Sequence, residues 1–147
     1  MAIRNAKAVW EGNLEDGNGK IALGSGALET PYSFQSRFAA QGPGTNPEEF
    51  IAGAHAGCFS MALSANLAEA GYAPVRIETA AKVHLSKTQD GFVIPKIELE
   101  TEAEVPGVDN DTFEKLAADA KANCPVSKVL RAAEITLSSK LLSQQKA

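Results

Sequence analysis

The sequence lacks an excess of basic residues. Its 147 residues carry 14 Lys and Arg against 18 Asp and Glu, which gives a net charge of −4 and a pI near 5.2. Proteins that bind nucleic acid or anionic membranes through charge present basic patches, so neither partner is expected. The length fits one domain over residues 1–147, and no repeat, linker or low-complexity segment suggests a second domain.

The N-terminus also lacks the features of a secretory signal. MAIRNAKAVW has no charged segment followed by an apolar run and a small-residue cleavage site. One long uncharged stretch does run from Phe50 to Ala68, but it contains His55, Asn66 and many alanines, which makes it a poor membrane span. We therefore expect a cytoplasmic protein in which this stretch is a helix buried inside protein.

Cysteine is scarce, because Cys58 and Cys124 are the only two and they form no CxxC motif. In a reducing compartment, such a pair indicates redox or metal chemistry more often than a structural disulfide. Pro125 suits the first position of a helix, which places Cys124 at the N-cap, where the helix dipole favours a thiolate. A buried structural role for Cys58 and a simple capping role for Cys124 are the alternatives.

The hydrophobic periodicity predicts an α+β protein whose antiparallel sheets wrap around long central helices. The helix that carries Cys58 starts at Thr45 or Asn46, has Pro47 in its first turn and ends at Ala70 before Gly71. A second helix is predicted near Asp111, which begins a capping-box pattern with Glu114. The other predicted elements are strands over residues 2–10, 20–23, 31–38, 75–85 and 96–105, a short helix over 125–132 and a last strand over 135–141.

Two thiols that meet in the folded chain suit a peroxidase. One thiolate attacks a hydroperoxide and becomes a sulfenic acid, the second condenses with it to a disulfide, and an external thiol resets the pair. The attack needs a cation near the sulfur, and Arg37, close in sequence to the long helix, is our candidate. An arginine on a solvated strand face is the alternative, and the other candidate cations are Arg4, Lys20, Arg76 and Arg131.

Two segments resemble the osmotically inducible protein C and organic hydroperoxide resistance family, and the resemblance spans essentially the whole chain. They are GTNPEEFIAGAHAGCFSMAL, from Gly44 to Leu63, and NCPVSKVL, from Asn123 to Leu130. The AHAGCFSMAL form and the arginine of Ser36-Arg37-Phe38 are similar to the osmotically inducible branch. The resemblance implies an intertwined homodimer of α+β subunits that acts as a cysteine-based, peroxiredoxin-like enzyme in oxidative and osmotic stress, without cofactor or metal.

The resemblance also implies roles for individual residues. Cys58 would be the peroxidatic thiol, Cys124 the resolving thiol, Arg37 the activating cation and Glu48 its salt-bridge partner. The implied substrates are organic hydroperoxides, and the implied reductants are dithiols, particularly lipoyl groups carried on proteins. Glu48 precedes Cys58 by ten residues, which is about 15 Å along a straight helix.

That spacing leaves three arrangements open. Arg37 spans the distance between Glu48 and Cys58, the helix bends near Gly53, or the carboxylate belongs to the partner subunit. We favour as a hypothesis a composite site with Arg37 from one chain and Cys58 from the other. Around Cys58, small residues together with Phe50, Phe59 and Met61 would favour a substrate with an apolar tail.

Two other functions compete with the peroxidase. His55 and Cys58 lie three residues apart on the predicted helix and could bind a metal with His84 and Cys124, although the usual closely spaced ligand pairs are missing. Alternatively, the chain is a non-catalytic dimeric binding protein for small apolar ligands, and its thiols are incidental.

Overall fold

The structure is a computed structural model that describes residues 1–39 and 42–143 of the chain. It forms two compact units, Met1–Phe50 and Ile51–Ala147. The expectation of one domain over residues 1–147 stays a prediction.

The first unit contains a three-stranded antiparallel sheet in the order β1-β2-β3. The strands span Ala6–Glu11 (β1), Asn18–Leu23 (β2) and Glu29–Tyr32 (β3). The Trp10 and Tyr32 rings meet across the sheet with their centroids 5.3 Å apart. Between them lies Gly19, where a Cβ atom would stand 2.5 Å from the Tyr32 ring, so only glycine allows the two rings to pack over β2.

The predicted strand over residues 31–38 is wrong beyond its first two residues. β3 ends at Tyr32, and the chain winds into a π-helical turn over Gln35–Ala39. Ser36 explains the change, because its buried hydroxyl accepts a hydrogen bond from Ser33 N at 2.9 Å and donates one to Thr45 O at 2.7 Å. Such local side-chain hydrogen bonds compete with a strand ladder. Arg37 therefore lies on a π-helical turn, a feature often found at functional sites.

Helix α1 spans Pro47–Glu69, as the sequence predicted within one residue at its C-terminal end. The Asn46 side chain caps it by accepting a hydrogen bond from Glu49 N at 2.8 Å. After the helix, Gly71 adopts a φ of 93°, which favours glycine and ends the helix. By length and composition alone α1 could cross a membrane, a test that the core helices of soluble proteins also pass, and 22% of its apolar stretch is buried within this chain.

The second unit contains a sheet in the order β4-β5-β6, built from Arg76–Thr88, Gly91–Glu104 and Glu134–Ser143. β4 pairs with β5 in the predicted antiparallel direction, but β6 pairs with β5 in parallel. The α+β class is confirmed, while antiparallel pairing holds for three of the four strand pairings within the described residues. The parallel pair needs a long crossover connection, which the segment between β5 and β6 supplies.

Two helices form that connection, α2 over Asn110–Asn123 and α3 over Pro125–Val129. The predicted capping position for α2 is two residues too late, because Asp109 rather than Asp111 accepts the hydrogen bond from Thr112 N, at 2.8 Å. The helix starts earlier than the periodicity suggested, since the apolar face begins only at Phe113. α3 is also shorter than predicted.

The core of the second unit lies between α1, the sheet and α2. Its buried members are Phe59, Leu63 and Leu67 from α1, Leu99 and Ala103 from β5, Val105 and Val108 from the segment after β5, and Phe113, Ala117 and Ala120 from α2. A line of hydroxyls crosses this layer, from Ser60 to Thr79 at 2.8 Å and on to Thr101 at 3.0 Å. Both features fix the register of α1 over the sheet, and Cys58 immediately precedes the first buried core residue.

We expect Leu99→Ala to lower the free energy of unfolding by about 3 kcal/mol, because it removes buried methyl groups and leaves a cavity. Leu142→Ala, on β6 of the same sheet, is the matched control, since Leu142 is 46% exposed. Urea denaturation of both variants at one protein concentration measures the difference. Equal losses would contradict this placement of the core.

Candidate active site

The structure brings Cys58 and Cys124 together, although they are 66 positions apart in the chain. Their thiols form a hydrogen bond to each other, and neither cysteine is in a disulfide. Cys58 is half-buried on α1, whereas Cys124 is fully buried at the junction of α2 and α3. The arrangement is therefore a reduced pair in which only Cys58 is open to solvent.

Cys124 occupies the N-cap of α3, and Pro125 holds the first helical position as the sequence predicted. Its sulfur makes no cap hydrogen bond of good geometry, yet the N–H groups of Val126 and Ser127 lie close enough to favour a thiolate. The Ser127 hydroxyl also bonds to this sulfur. The first turn of α3 thus presents several donors to one atom.

The two thiols differ in acidity. Burial raises the pKa of the Cys58 thiol, and the hydrogen bond to Cys124 raises it further. Burial also opposes ionisation of Cys124, but the hydrogen bonds from Cys58, Ser127 and Val126 outweigh it and lower the pKa of Cys124. Within the second unit, Cys124 is therefore the more acidic of the two thiols, the reverse of the order expected for a peroxidatic Cys58.

His55 and Ser127 extend this group of residues. His55 is fully buried on α1, and its Nε2 atom lies 2.7 Å from Ser127 Oγ. Burial lowers the pKa of His55, which keeps the ring neutral. Sequence reasoning missed this contact, and the only available signal was that His55 precedes Cys58, and Cys124 precedes Ser127, by one helical turn.

Arg37 and Glu48 form a bidentate ion pair in the first unit. Arg37 Nε lies 3.2 Å from both carboxylate oxygens of Glu48, and Nη2 lies 2.8 Å from Oε1. The Phe38 ring adds a cation–π contact, with its centroid 5.2 Å from the guanidinium carbon. The Glu48 side chain is 10% exposed and that of Arg37 35% exposed, so the pair is rigid yet leaves the guanidinium accessible.

Other candidates from the sequence lie elsewhere. His84 binds Glu98 at 2.6 Å on the exposed face of β4, which separates it from the cysteines of the proposed metal site. Across residues 1–39 and 42–143, no group of three His, Cys, Asp or Glu side chains is arranged to hold a metal ion. Lys20 and Arg76 form exposed pairs with Glu29 and Glu78.

The expectation that Phe59 lines a substrate pocket is wrong, because Phe59 is fully buried in the core of the second unit. Met61 is 76% exposed and is free to contact an apolar group. The two residues lie on different faces of α1, since they are two positions apart.

Comparison with known proteins gives a consistent result. The family described as OsmC-like protein matches residues 40–140. Peroxiredoxin OsmC of Escherichia coli is 50% identical over 95% of this chain and 97% of its own length. The organic hydroperoxide resistance protein OhrB of Bacillus subtilis is 27% identical, with a TM-score of 0.71 over 93% of this chain and 97% of that one. A Legionella pneumophila OsmC structure has the same fold, at 22% identity and a TM-score of 0.73 over 96% and 98% of the two chains.

We expect the fold to lose stability as the pH falls from 7.5 to 5.5. The pKa of His55 is lowered in the folded state, so the unfolded chain binds more protons below its pKa of about 6.5. This contribution is complete above that value and is lost as the pH falls towards the folded pKa. His55→Gln should reduce the loss, as measured by urea midpoints at both pH values.

His84→Gln is the control, because His84 is exposed and should leave the loss in place. If His55→Gln and the unchanged protein lose stability equally between the two pH values, the buried neutral histidine is not the cause.

Proposed function

The chain belongs to the OsmC-like protein family and is a thiol-dependent peroxidase, and we propose that it reduces organic hydroperoxides through Cys58 and Cys124. The observation that carries the proposal is the hydrogen-bonded pair of thiols, one half-buried and one fully buried. The half-buried sulfur of Cys58 can react with a peroxide, and the buried sulfur of Cys124 can then react with the sulfur of Cys58.

The accessibility of the two thiols supports a division of roles. Cys58, as a thiolate, attacks the terminal oxygen of the hydroperoxide, the O–O bond breaks, and the alcohol leaves after taking up a proton. Cys58 becomes a sulfenic acid. Cys124, which cannot reach solvent, then attacks the Cys58 sulfur to form the disulfide and release water, and a dithiol reduces the pair in two exchange steps.

The acidity of the two thiols makes a nearby cation necessary. Because burial and the neighbouring Cys124 both raise the pKa of Cys58, Cys58 needs a positive charge to become the attacking thiolate. We propose that Arg37 supplies it. Glu48 holds Nε and Nη2 of Arg37, and Nη1 makes no hydrogen bond to any side chain described here, so one end of the fork is available.

The exposed face of α1 supports a homodimer. Gly53, Ala54, Gly57 and Met61 are exposed in the single chain, and a Cβ atom added at either glycine would meet nothing within 4 Å. A long apolar helix with an open face of small residues suits close packing against a second helix. We propose that a dimer built on this face brings the Arg37 of one subunit to the Cys58 of the other.

The reaction of the two thiols also leads us to propose a class of substrate, a reductant and a location for the protein. An alkyl or aryl hydroperoxide gains binding energy from apolar contact that hydrogen peroxide lacks, and Met61 is available for it. A dithiol, such as a lipoyl group carried on a protein, can complete both exchange steps on one molecule. The cytosol supplies the reducing conditions that this cycle requires.

We expect Cys58→Ser to abolish turnover of cumene hydroperoxide with dihydrolipoamide as the reductant. Cys124→Ser should still consume one equivalent of peroxide, because Cys58 remains, but it should form no disulfide within the chain. Excess peroxide should then convert its Cys58 to a sulfinic acid. Steady-state assays and intact-protein mass spectrometry measure these outcomes.

The two serine variants serve as controls for each other, since each removes one sulfur from the same pair. Full activity in the Cys58→Ser protein would contradict the assignment. For the unchanged protein, kcat/KM should be about a hundredfold higher for cumene hydroperoxide than for hydrogen peroxide, the effect of burying about 100 Å² of apolar surface.

We expect mixtures of inactive Arg37→Ala and Cys58→Ser proteins to regain about a quarter of the unmixed activity, because half of the exchanged dimers each contain one intact composite site. Subunit exchange is verified by native mass spectrometry of one isotopically labelled partner. Exchange without any recovery of activity would mean that Arg37 and Cys58 act within one chain. Arg76→Ala, at an exposed arginine, should remain active without mixing.

A further inference from the structure

A buried polar pair beside the thiols has no part in the reaction as described above. His55 is fully buried, Ser127 is 4% exposed, and they form a hydrogen bond of 2.7 Å. Ser127 is the third residue of α3, one helical turn after Cys124 at the N-cap, which places its hydroxyl beside the Cys124 sulfur as a hydrogen-bond donor. Burying polar side chains costs free energy that an apolar pair would not, so the pair requires a reason beyond packing.

The proton on His55 can be assigned from its surroundings. Nδ1 is buried and has no hydrogen-bond partner among the residues that the structure describes. A buried N–H group without an acceptor is rare in proteins, whereas an unused lone pair is tolerated better. Because burial keeps the ring neutral, it carries one proton, and we assign that proton to Nε2. His55 therefore donates to Ser127 Oγ.

This assignment fixes the direction of the whole chain of hydrogen bonds. With its oxygen accepting from His55, the Ser127 hydroxyl directs its own proton to the sulfur of Cys124. We propose that His55 and Ser127 form a dyad that prepares Cys124 as the attacking thiolate in the disulfide-forming step. Ser127 touches the reacting sulfur and is a catalytic residue, while His55 is a positioning residue that acts through Ser127.

The dyad acts on a step that balances without any further reactant. The Cys124 thiolate attacks the sulfenic sulfur of Cys58, the S–S bond forms, the S–O bond breaks, and hydroxide leaves and becomes water with the proton that Cys124 gave up. The hydrogen bond from Ser127 stabilises the thiolate before the attack, and the bond from His55 polarises that hydroxyl. A faster attack leaves the sulfenic acid less time to meet a second peroxide.

The test separates the two chemical steps. Reduced protein is mixed with one equivalent of tert-butyl hydroperoxide, quenched at intervals with dimedone and iodoacetamide, and analysed by mass spectrometry. We expect Ser127→Ala to form the disulfide about tenfold more slowly, the effect of losing one hydrogen bond to an ionised group, while Cys58 is oxidised at the unchanged rate. With excess peroxide, this variant should accumulate more sulfinic acid per turnover.

Ser60→Ala is the matched control. Ser60 is a half-buried serine on α1 whose hydroxyl bonds to Ala56 O and Thr79 Oγ1, away from the dyad, so its loss should change neither step. His55→Leu should slow disulfide formation as Ser127→Ala does. His55→Gln keeps an N–H donor and should recover most of the rate.

A second readout is the acidity of Cys124 itself. In the Cys58→Ser background, a pH titration of the ultraviolet absorbance of the Cys124 thiolate, which needs no reagent to reach the buried sulfur, should shift to higher pH when Ser127→Ala is added, by about one pH unit for the same hydrogen bond. A purely structural role of Ser127 would leave this profile in place.

Three results would overturn the dyad. One is disulfide formation at the unchanged rate in Ser127→Ala, and another is an equal slowing of Cys58 oxidation and disulfide formation. The third is ¹⁵N NMR of the unchanged protein that finds the His55 proton on Nδ1, a measurement that depends on no variant. The dyad rests on the proposed function, but the two fail separately, because an unchanged protein that does not oxidise Cys58 with peroxide refutes the peroxidase itself.

Discussion

The burial of one face of helix α1 is the constraint on which the site depends. His55, Phe59, Leu63 and Leu67 follow one another at intervals of four residues, and each is fully buried. That spacing keeps one stripe of the helix against the sheet and α2. Cys58 precedes Phe59 by one residue, so it lies at the edge of the stripe, half in the protein and half towards solvent. A residue on the stripe would be inaccessible, and one opposite it could not reach Cys124.

The two thiols receive their chemistry from different sources. Against the effect of burial, the pKa of Cys124 is lowered by the hydrogen bond from Cys58 and by the first turn of α3, which supplies N–H groups and the Ser127 hydroxyl. Cys58 lies in the middle of α1, where burial and the hydrogen bond to Cys124 raise its pKa against the opposing effect of the Val126 N–H. We therefore expect a positive charge from another segment to make this thiol the nucleophile. The rigid Arg37–Glu48 pair has the properties required of such a segment, because it carries a guanidinium cation and its carboxylate fixes one side of the guanidinium fork.

Much of the fold could be predicted from the sequence because the signals were local and redundant. Helix α1 had a cap, a proline and acidic residues at its start and a glycine after its end, and β4 and β5 alternated cleanly between two environments. Three features depended on contacts that local patterns do not encode. The turn at Arg37 is set by the hydrogen bond from Ser36 to Thr45, the parallel pairing of β6 is set by the crossover through α2 and α3, and the His55–Ser127 contact joins residues 72 positions apart. The sequence indicated which residues carry sulfur and charge, but not which neutral groups shift the pKa of the thiols.

The position of the two cysteines has a mechanical consequence for the reaction cycle. The disulfide proposed here would close a loop that contains β4, β5 and α2, almost half of the chain. In the chain-entropy description, a covalent link across a loop of that length restricts the denatured ensemble by about 4 kcal/mol at 25 °C. In each turnover the chain would thus gain this disulfide cross-link and then lose it. The oxidised enzyme, waiting for its reductant under peroxide stress, would be the form most resistant to unfolding.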